Sequence, residues 1–283
     1  MKPAPFEFAR ATRLEDAAVA LEAAGGEGRP YAGGQSLGPM LNFRVARPTL
    51  LVDLSEVAAL QGQEFVDGGI EVGAMSVHSD FEDGKITDVA KGLLQHAASG
   101  IAYRAVRNRG TIGGSLSHAD PAADWPPVMM ALDAIGKIYN TQGGYEVPVS
   151  EFINGILSTV MSPGDILAKI KIPQLSETAT WGHYKICVKP GDFAQSLSIV
   201  LMDRENNLCR VVLAGPSSPA TYLKSIPELL LSSGEWSADL AEKVKEVAIH
   251  ELELNQFIDP ADGYNRNLHG TVVVRAAKQA MCQ

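Results

Sequence analysis

Two stretches set adjacent glycines beside hydroxyl residues with no lysine or arginine inside either one: YAGGQSLGP at residues 31–39 and TIGGSLSHADPAADWP at 111–126. A double glycine is most simply a tight bend. It is also what a phosphate needs when no cation is at hand. Successive backbone N–H groups can converge on an anion, and glycine permits both the dihedrals and the close approach. Serine and threonine hydroxyls, or the start of a helix, add donors. Neither stretch fits the dinucleotide fingerprint G-x-G-x-x-G or the P-loop G-x-x-x-x-G-K-[ST]. The residues alone therefore leave two readings open: plain bends, or a cradle for a phosphate or nucleotide.

Composition narrows the partners. The 283 residues are 46% hydrophobic and 20% charged, enough apolar side chain for one large core or two. A net charge of −9 disfavours nucleic acid and anionic membrane. It does not prevent a phosphate from being held locally by amide dipoles. Three cysteines, Cys187, Cys209 and Cys282, contain no C-x-x-C spacing, so a thiolate-held iron–sulfur cluster or zinc site in this chain is not expected. The N-terminal stretch lacks the apolar run of a signal peptide, and no run approaches 18 apolar residues. The expectation is a cytoplasmic protein without a transmembrane segment.

Along the chain, Thr12-Arg13-Leu14-Glu15 has the form of a capping box, followed by apolar residues at helical spacing and a Gly25-Gly26 stop. A short strand ends in the first glycine turn, LGPMLNFR reads as a short helix, and PTLLVDLS as a buried strand. These make a small parallel α/β unit over the first 55 or so residues. GGIEVGAMSV then alternates like an antiparallel strand, and a helix follows from Asp88 as N-cap. After the second glycine turn, PPVMMALDA opens a short buried helix, and a hairpin turns at Gln142-Gly143-Gly144. DILAKIKIP is a strand closed by Pro173. QLSETAT, at 174–180, is polar and without core residues, and the domain boundary is placed there. Three antiparallel strands follow, the last hairpin turning at Asn206-Asn207, and then helices, one capped by Ser237.

Among other chemistry-bearing residues, the histidines form no i, i+4 metal pair, and packing is the favoured role for His118. Asp80, Glu82 and Asp83 lack calcium-loop spacing and read as a solvated loop. Arg104, Arg107 and Arg109 read as a solvent-facing or subunit-facing surface.

AGGQSLGPMLNFRVARPTLLVDLSEV and RNRGTIGGSLSHADPAADWPPVMMALDA together resemble the FAD-binding medium subunit of the molybdenum hydroxylase family, which includes carbon monoxide, xanthine and bacterial nicotine dehydrogenases. The likeness runs nearly end to end. It implies an α+β fold: a two-lobed FAD-binding domain of the PCMH type over 1–175, with lobes of about 1–55 and 56–175. A C-terminal domain over 176–283 would follow, a three-stranded antiparallel sheet with helices. It implies FAD as this chain's cofactor. Ala32, Gly33, Gly34, Gln35 and Ser36 match the first diphosphate turn; Gly110, Thr111, Ile112, Gly113, Gly114 and Ser115 match the second. Asp124 matches a residue bonded to the adenosine portion, while Ile101, Leu167 and Lys185 match contacts to the flavin ring. Phe193 stands where many relatives carry a tyrosine beside the flavin, and Pro190 replaces a usual threonine; ring contact is kept and a hydroxyl is lost.

The implied activity is electron transfer. A large molybdopterin subunit oxidises the substrate, a small subunit with two [2Fe–2S] clusters relays electrons, and FAD here passes them to an external acceptor. A dimer of heterotrimers is the implied assembly. A stand-alone FAD oxidase of a small organic substrate and a non-catalytic nucleotide-binding protein are the alternatives; the first would need a catalytic base and a substrate cavity beside the flavin.

Overall fold

The computed structural model describes residues 2–283. The first lobe comprises β1 (Glu7–Arg10), α1 (Leu14–Ala23), β2 (Gly28–Tyr31), α2 (Leu37–Asn42) and β3 (Leu50–Asp53). Its three strands are parallel in the order β1-β3-β2. Leu14, Ala17, Ala18 and Leu21 of α1 are buried with Val52 and Leu54, as their helical spacing predicts. The expected capping box does not form. The N-cap is Arg13, without a side-chain cap bond, and Glu15 pairs with the Arg13 guanidinium at 3.4 Å instead of reaching back to the helix. The first glycine turn leaves the carboxyl end of β2, on the side of a parallel sheet where crevices for ligands open.

The second lobe contains β4 (Gln63–Val66), β5 (Gly69–Gly73), α3 (His78–Glu82), α4 (Leu93–Ser99), α5 (Arg104–Arg107), α6 (Ile112–His118), α7 (Trp125–Ala131), β6 (Ile135–Tyr139), β7 (Tyr145–Pro148), α8 (Val149–Phe152), β8 (Ile153–Gly155), β9 (Ser158–Thr159) and β10 (Ile166–Pro173). Five of these strands form an antiparallel sheet in the order β4-β5-β10-β6-β7. Every residue of α7 is buried, as its continuous apolar sequence requires. Asp88 caps differently from expectation. The helix begins only at Leu93, after a left-handed Gly92. The Asp88 carboxylate accepts from Ala90 N at 2.8 Å and, from outside the helix, from Gln95 N at 2.9 Å.

The C-terminal part holds β11 (Thr180–Ile186), β12 (Ser196–Asp203), β13 (Leu208–Gly215), β14 (Ser218–Tyr222), α9 (Ile226–Ser232), α10 (Ala238–Leu254) and α11 (Gly263–Met281). Its antiparallel sheet has four strands, in order β11-β12-β13-β14, rather than the three expected. The fourth lies at an edge, contains Pro219 and is half-buried throughout, so neither alternation nor a β-branched run announces it. Ser237 caps α10 as expected, its hydroxyl accepting from Leu240 N at 3.1 Å.

Alternation along β12 sends its two faces to different neighbours. Ile199 and Leu201 join the core of the second lobe; Val200 and Met202 pack among α9, α10 and α11. One hydrophobic core therefore runs from the second lobe into the C-terminal sheet. The segment at 174–180 is accordingly not the core-free linker its polarity implied. Leu175 packs on that core and its amide donates to the Val89 carbonyl at 2.9 Å; Ala179 is buried; Ser176 and Thr178 donate to the Asp203 carboxylate. Among the described residues no helix is long and apolar enough to cross a membrane.

Candidate functional site

The two glycine turns lie against each other. A Cβ at Gly33 would overlap the Arg109 carbonyl oxygen and lie 2.9 Å from the Gly110 Cα, so only glycine allows this approach. A Cβ at Gly114 would stand 3.8 Å from the Ala32 methyl. Residues 76 to 82 positions apart in sequence thus form one surface, joining the carboxyl end of the first lobe to the second.

Their amides differ. Among the described residues, none accepts the backbone N–H of Gly33, Gly34, Gln35 or Ser36. Gly34 sits at φ +69°, a left-handed residue within this run of unused donors, as in an anion nest. The second turn spends its donors on its own fold. Ile112 N donates to Ser76 O at 3.0 Å, Gly113 N to Ala74 O at 2.9 Å, Ser115 N to Thr111 O at 3.0 Å and Gly114 N to the Thr111 hydroxyl at 3.0 Å. Of the two matched diphosphate turns, one therefore has free amides and the other is a rigid, glycine-thinned wall, with the Ile112 side chain wholly buried beneath it.

At the other end, Lys185 of β11 donates to Asp124 Oδ1 at 2.9 Å and Oδ2 at 3.0 Å, and reaches the Gly100 carbonyl at 3.4 Å, next to half-buried Ile101. The Lys185 and Asp124 side chains are 10% and 6% exposed. Burial pushes the Asp124 carboxyl up, opposed by the Lys185 charge and hydrogen bonds. Asp124 and Lys185, which the resemblance matches to different parts of the cofactor, are thus brought to one place by this contact.

Alternate residues of β11 carry the same face onto the second lobe. Trp181 Nε1 donates to the Lys91 carbonyl at 3.0 Å, and His183 Nδ1 lies 3.2 Å from His96 Nε2. Burial, with the charges of His96 and Lys185, depresses His183 to about 3. Phe193 lies in the loop after β11 and is mostly exposed. That loop is anchored where Ala102 N donates to Gly191 O at 2.9 Å and Ala194 N to Ala122 O at 3.2 Å. Leu167 is not brought to the cleft by its side chain, which is buried in the core of the five-stranded sheet, facing Gly136.

Of the arginine run, Arg104 and Arg109 are exposed as expected, and Arg107 is not. Arg107 is turned inward, 12% exposed, donating to Glu82 at 2.7 and 2.8 Å and to the Ile101 and Ala102 carbonyls. Arg104 pairs with Glu82 and Asp83 at 2.7 and 2.5 Å. Glu82 and Asp83 of the acidic cluster read as a solvated loop are the partners of these arginines, while Asp80 pairs with Lys85 at 2.9 Å; Arg107 ties the Ile101 loop down.

Sequence reasoning missed two supports. The Tyr31 ring packs on Gly34, filling the space a side chain there would take. His78 donates its amide to Gly110 O at 2.9 Å, while its ring lies where a Gly110 Cβ would come within 2.7 Å of Nε2. The Trp125 indole donates to His78 Nδ1 at 3.0 Å, which leaves the ring proton on Nε2 and links the second turn to the residue after Asp124. Burial and the Arg107 charge lower His78 to about 4. No spacing marks either residue, because both act through tertiary contacts.

The model of the FAD binding domain in molybdopterin dehydrogenase matches residues 4–175. The 6-hydroxypseudooxynicotine dehydrogenase complex subunit alpha of Paenarthrobacter nicotinovorans is 32% identical over 99% of this chain and 96% of its own length. The caffeine dehydrogenase subunit beta of a Pseudomonas species is 33% identical over 75% of this chain and 74% of its own. Among solved structures, a chain of carbon monoxide dehydrogenase from Hydrogenophaga pseudoflava, lacking the Mo-pyranopterin moiety of its molybdenum cofactor, superimposes with a TM-score of 0.90 at 27% identity, covering 100% of this chain and 99% of that one.

Proposed function

The chain belongs to the family of FAD-binding domains of molybdopterin dehydrogenases, and on that premise we propose that it is the FAD-carrying electron-transfer subunit of a molybdenum hydroxylase. It takes electrons from [2Fe–2S] clusters of a partner subunit and passes them to an external acceptor. The molybdopterin subunit of the complex oxidises the organic substrate. A dimer of heterotrimers is the assembly we favour, with 1–175 as the FAD-binding domain and 176–283 as the domain that closes over its ring end.

The site suits the group. An acidic chain offers its phosphate donors as the unpartnered amides of Gly33–Ser36, beside a wall from which side chains are absent at Gly113 and Gly114. When bound, FAD supplies the exchange between two-electron and one-electron carriers; the protein supplies position, charge and exclusion of water. The first turn would bind the diphosphate through its amides and the Ser36 hydroxyl. The second would set the direction of approach, with Thr111 and Ser115 lining it. Ile101 would provide apolar contact at the ring end. Lys185 would hold a fixed positive charge there, oriented by Asp124, and Phe193 would cover the ring from its loop. The Leu167 contribution would pass through its main chain.

The observation that carries this reading is the direct packing of Gly33 on Arg109-Gly110 beside four unused amides. A stand-alone oxidase would need a free base at the ring, whereas the two buried charged groups there are bonded to each other. Native purification of the chain tests the proposal: one FAD per chain, seen as a visible flavin band, is expected. Chain that is folded yet takes up no FAD on reconstitution would contradict it.

A further inference from the structure

The second glycine turn is laid against the segment that leads into α3. Gly113 N donates to Ala74 O at 2.9 Å, Ile112 N to Ser76 O at 3.0 Å and His78 N to Gly110 O at 2.9 Å, with Val77 and Thr111 paired as an antiparallel bridge between them. This strap fixes where the His78 imidazole stands. Its Nε2 lies 2.7 Å from the place a Gly110 Cβ would take, and Gly110 is also the residue on which Gly33 packs. The imidazole therefore reaches the point where the two turns meet, past a residue whose missing side chain leaves that approach open. The tautomer is fixed from the other side. The Trp125 indole is wholly buried, its ring 4.8 Å from that of Phe81, and donates to His78 Nδ1 at 3.0 Å. An indole N–H only donates, so Nδ1 accepts and Nε2 carries the hydrogen. His78 is 5% exposed, yet its Nε2–H meets no acceptor among the described residues. Buried donors are nearly always paired, so one held in a single tautomer at the join of two glycine turns points to an acceptor-rich ligand.

We infer that the His78 Nε2–H is a further donor to the FAD diphosphate, a binding residue outside both glycine turns, and that Trp125 is the positioning residue that fixes its tautomer. The inference rests on the function proposed above. It also answers an asymmetry of the site. The first turn has four unused amides, whereas the second spends its amides on Ser76, Ala74 and Thr111. His78 supplies, from behind Gly110, the donor that the second turn lacks. Burial and the Arg107 charge lower the ring to about 4, so it donates as a neutral group at pH 7. A neutral donor matches a cleft whose other phosphate donors are main-chain amides and hydroxyls, and its hydrogen bond to a charged oxygen is of the stronger kind.

FAD titration of the full chain, stripped of flavin, compares His78→Leu, His78→Gln and Trp125→Phe. Leucine and glutamine both remove the acceptor for Trp125 and so cost stability alike. They differ in the donor, since a glutamine amide carries its N–H as far from the main chain as Nε2 does. Trp125→Phe keeps the packing on Phe81 and removes the indole donor. The expected result is FAD binding about tenfold weaker in His78→Leu, within about threefold of the unmodified chain in His78→Gln, and about threefold or more weaker in Trp125→Phe. Unchanged affinity in His78→Leu would overturn the proposal. Equal weakening in His78→Leu and His78→Gln would do the same, because the ring would then serve the fold alone. Unchanged affinity in Trp125→Phe would remove Trp125 from its positioning role. If the variants do not fold, NMR of the histidine-labelled unmodified chain decides. Nε2 should carry the proton with and without FAD, and that proton should exchange with water at least tenfold more slowly once FAD is bound. A proton on Nδ1, or an Nε2–H signal indifferent to FAD, would refute the assignment. An unmodified chain that takes up no FAD would instead sink the functional reading beneath it.

Discussion

Lys185 and Asp124 bind each other across the junction between the FAD lobes and the C-terminal sheet, at 2.9 and 3.0 Å, with both side chains buried. Removing one member leaves a charge without water or partner. Asp124→Leu or Lys185→Met alone should lower unfolding stability by about 3–5 kcal/mol, whereas the double change Asp124→Leu with Lys185→Met should recover most of that loss. Denaturant titration of the four proteins gives the coupling. Losses that simply add would show that the pair does not act as a unit.

Gly33 has no room for a methyl group against Arg109, whereas Gly38 has nothing within 4 Å. Gly33→Ala should push the two turns apart and cut flavin retention at least tenfold, about 1.4 kcal/mol of affinity. Gly38→Ala should retain flavin normally. Equal retention in both would mean that the turns do not need their contact.

Thr111 links fold and site through one hydroxyl, which caps α6 by accepting from Gly114 N. Thr111→Val keeps the volume and removes the acceptor. A stability loss of about 1 kcal/mol is expected, with weaker flavin binding, and Thr111→Ser should restore both. Calorimetry and flavin titration read the two effects. A stable Thr111→Val protein with normal flavin affinity would remove the hydroxyl from the site.

Acid should loosen the protein before its carboxylates titrate. His183 is depressed to about 3, His78 and His269 to about 4, and His96 is also lowered, each chiefly by burial. Each folded value lies below the unfolded one, so the unfolded chain binds more protons between them. Stability is then full above about pH 6.5 and falls as pH drops toward 4. At about 1.4 kcal/mol per unit, one fully buried histidine costs at most about 2 kcal/mol by pH 5. Asp124, raised by burial, shifts the opposite way and offsets a small part. Asp203, held down to about 2 chiefly by hydrogen bonds from Ser176 and Asn206, matters only at lower pH. The melting temperature should fall clearly between about pH 7.5 and pH 5; a flat profile would mean that these rings are solvated.

What the sequence made legible follows from how local each signal is. The glycine turns, the strands flanking them, the buried α7 and the Asn206-Asn207 turn rest on contacts within a few residues. Their residue types state them directly, and Asn207 indeed takes φ +51°. The edge strand at Ser218–Tyr222 was hidden because half-burial on both faces erases the alternation that announces a strand. The capping box failed because the helix is capped at Arg13, one residue after Thr12, and Glu15 pairs with the Arg13 guanidinium. At the site, the residue types were visible and the pairings were not. Nothing local says that Asp124 meets Lys185, that Arg107 turns inward to Glu82, or that His78 lies under Gly110 and holds Trp125. These joins cross between elements and follow only from the packed fold.

A crystal structure of the flavin-loaded chain bears most directly on the central claim that main-chain amides, and not cationic side chains, hold the diphosphate. Phosphate oxygens about 3 Å from the amides of Gly33–Ser36, with the flavin ring at the Lys185 end, are the expected result. A diphosphate held by Arg109 or another cation, with those four amides still turned to solvent, would contradict the account.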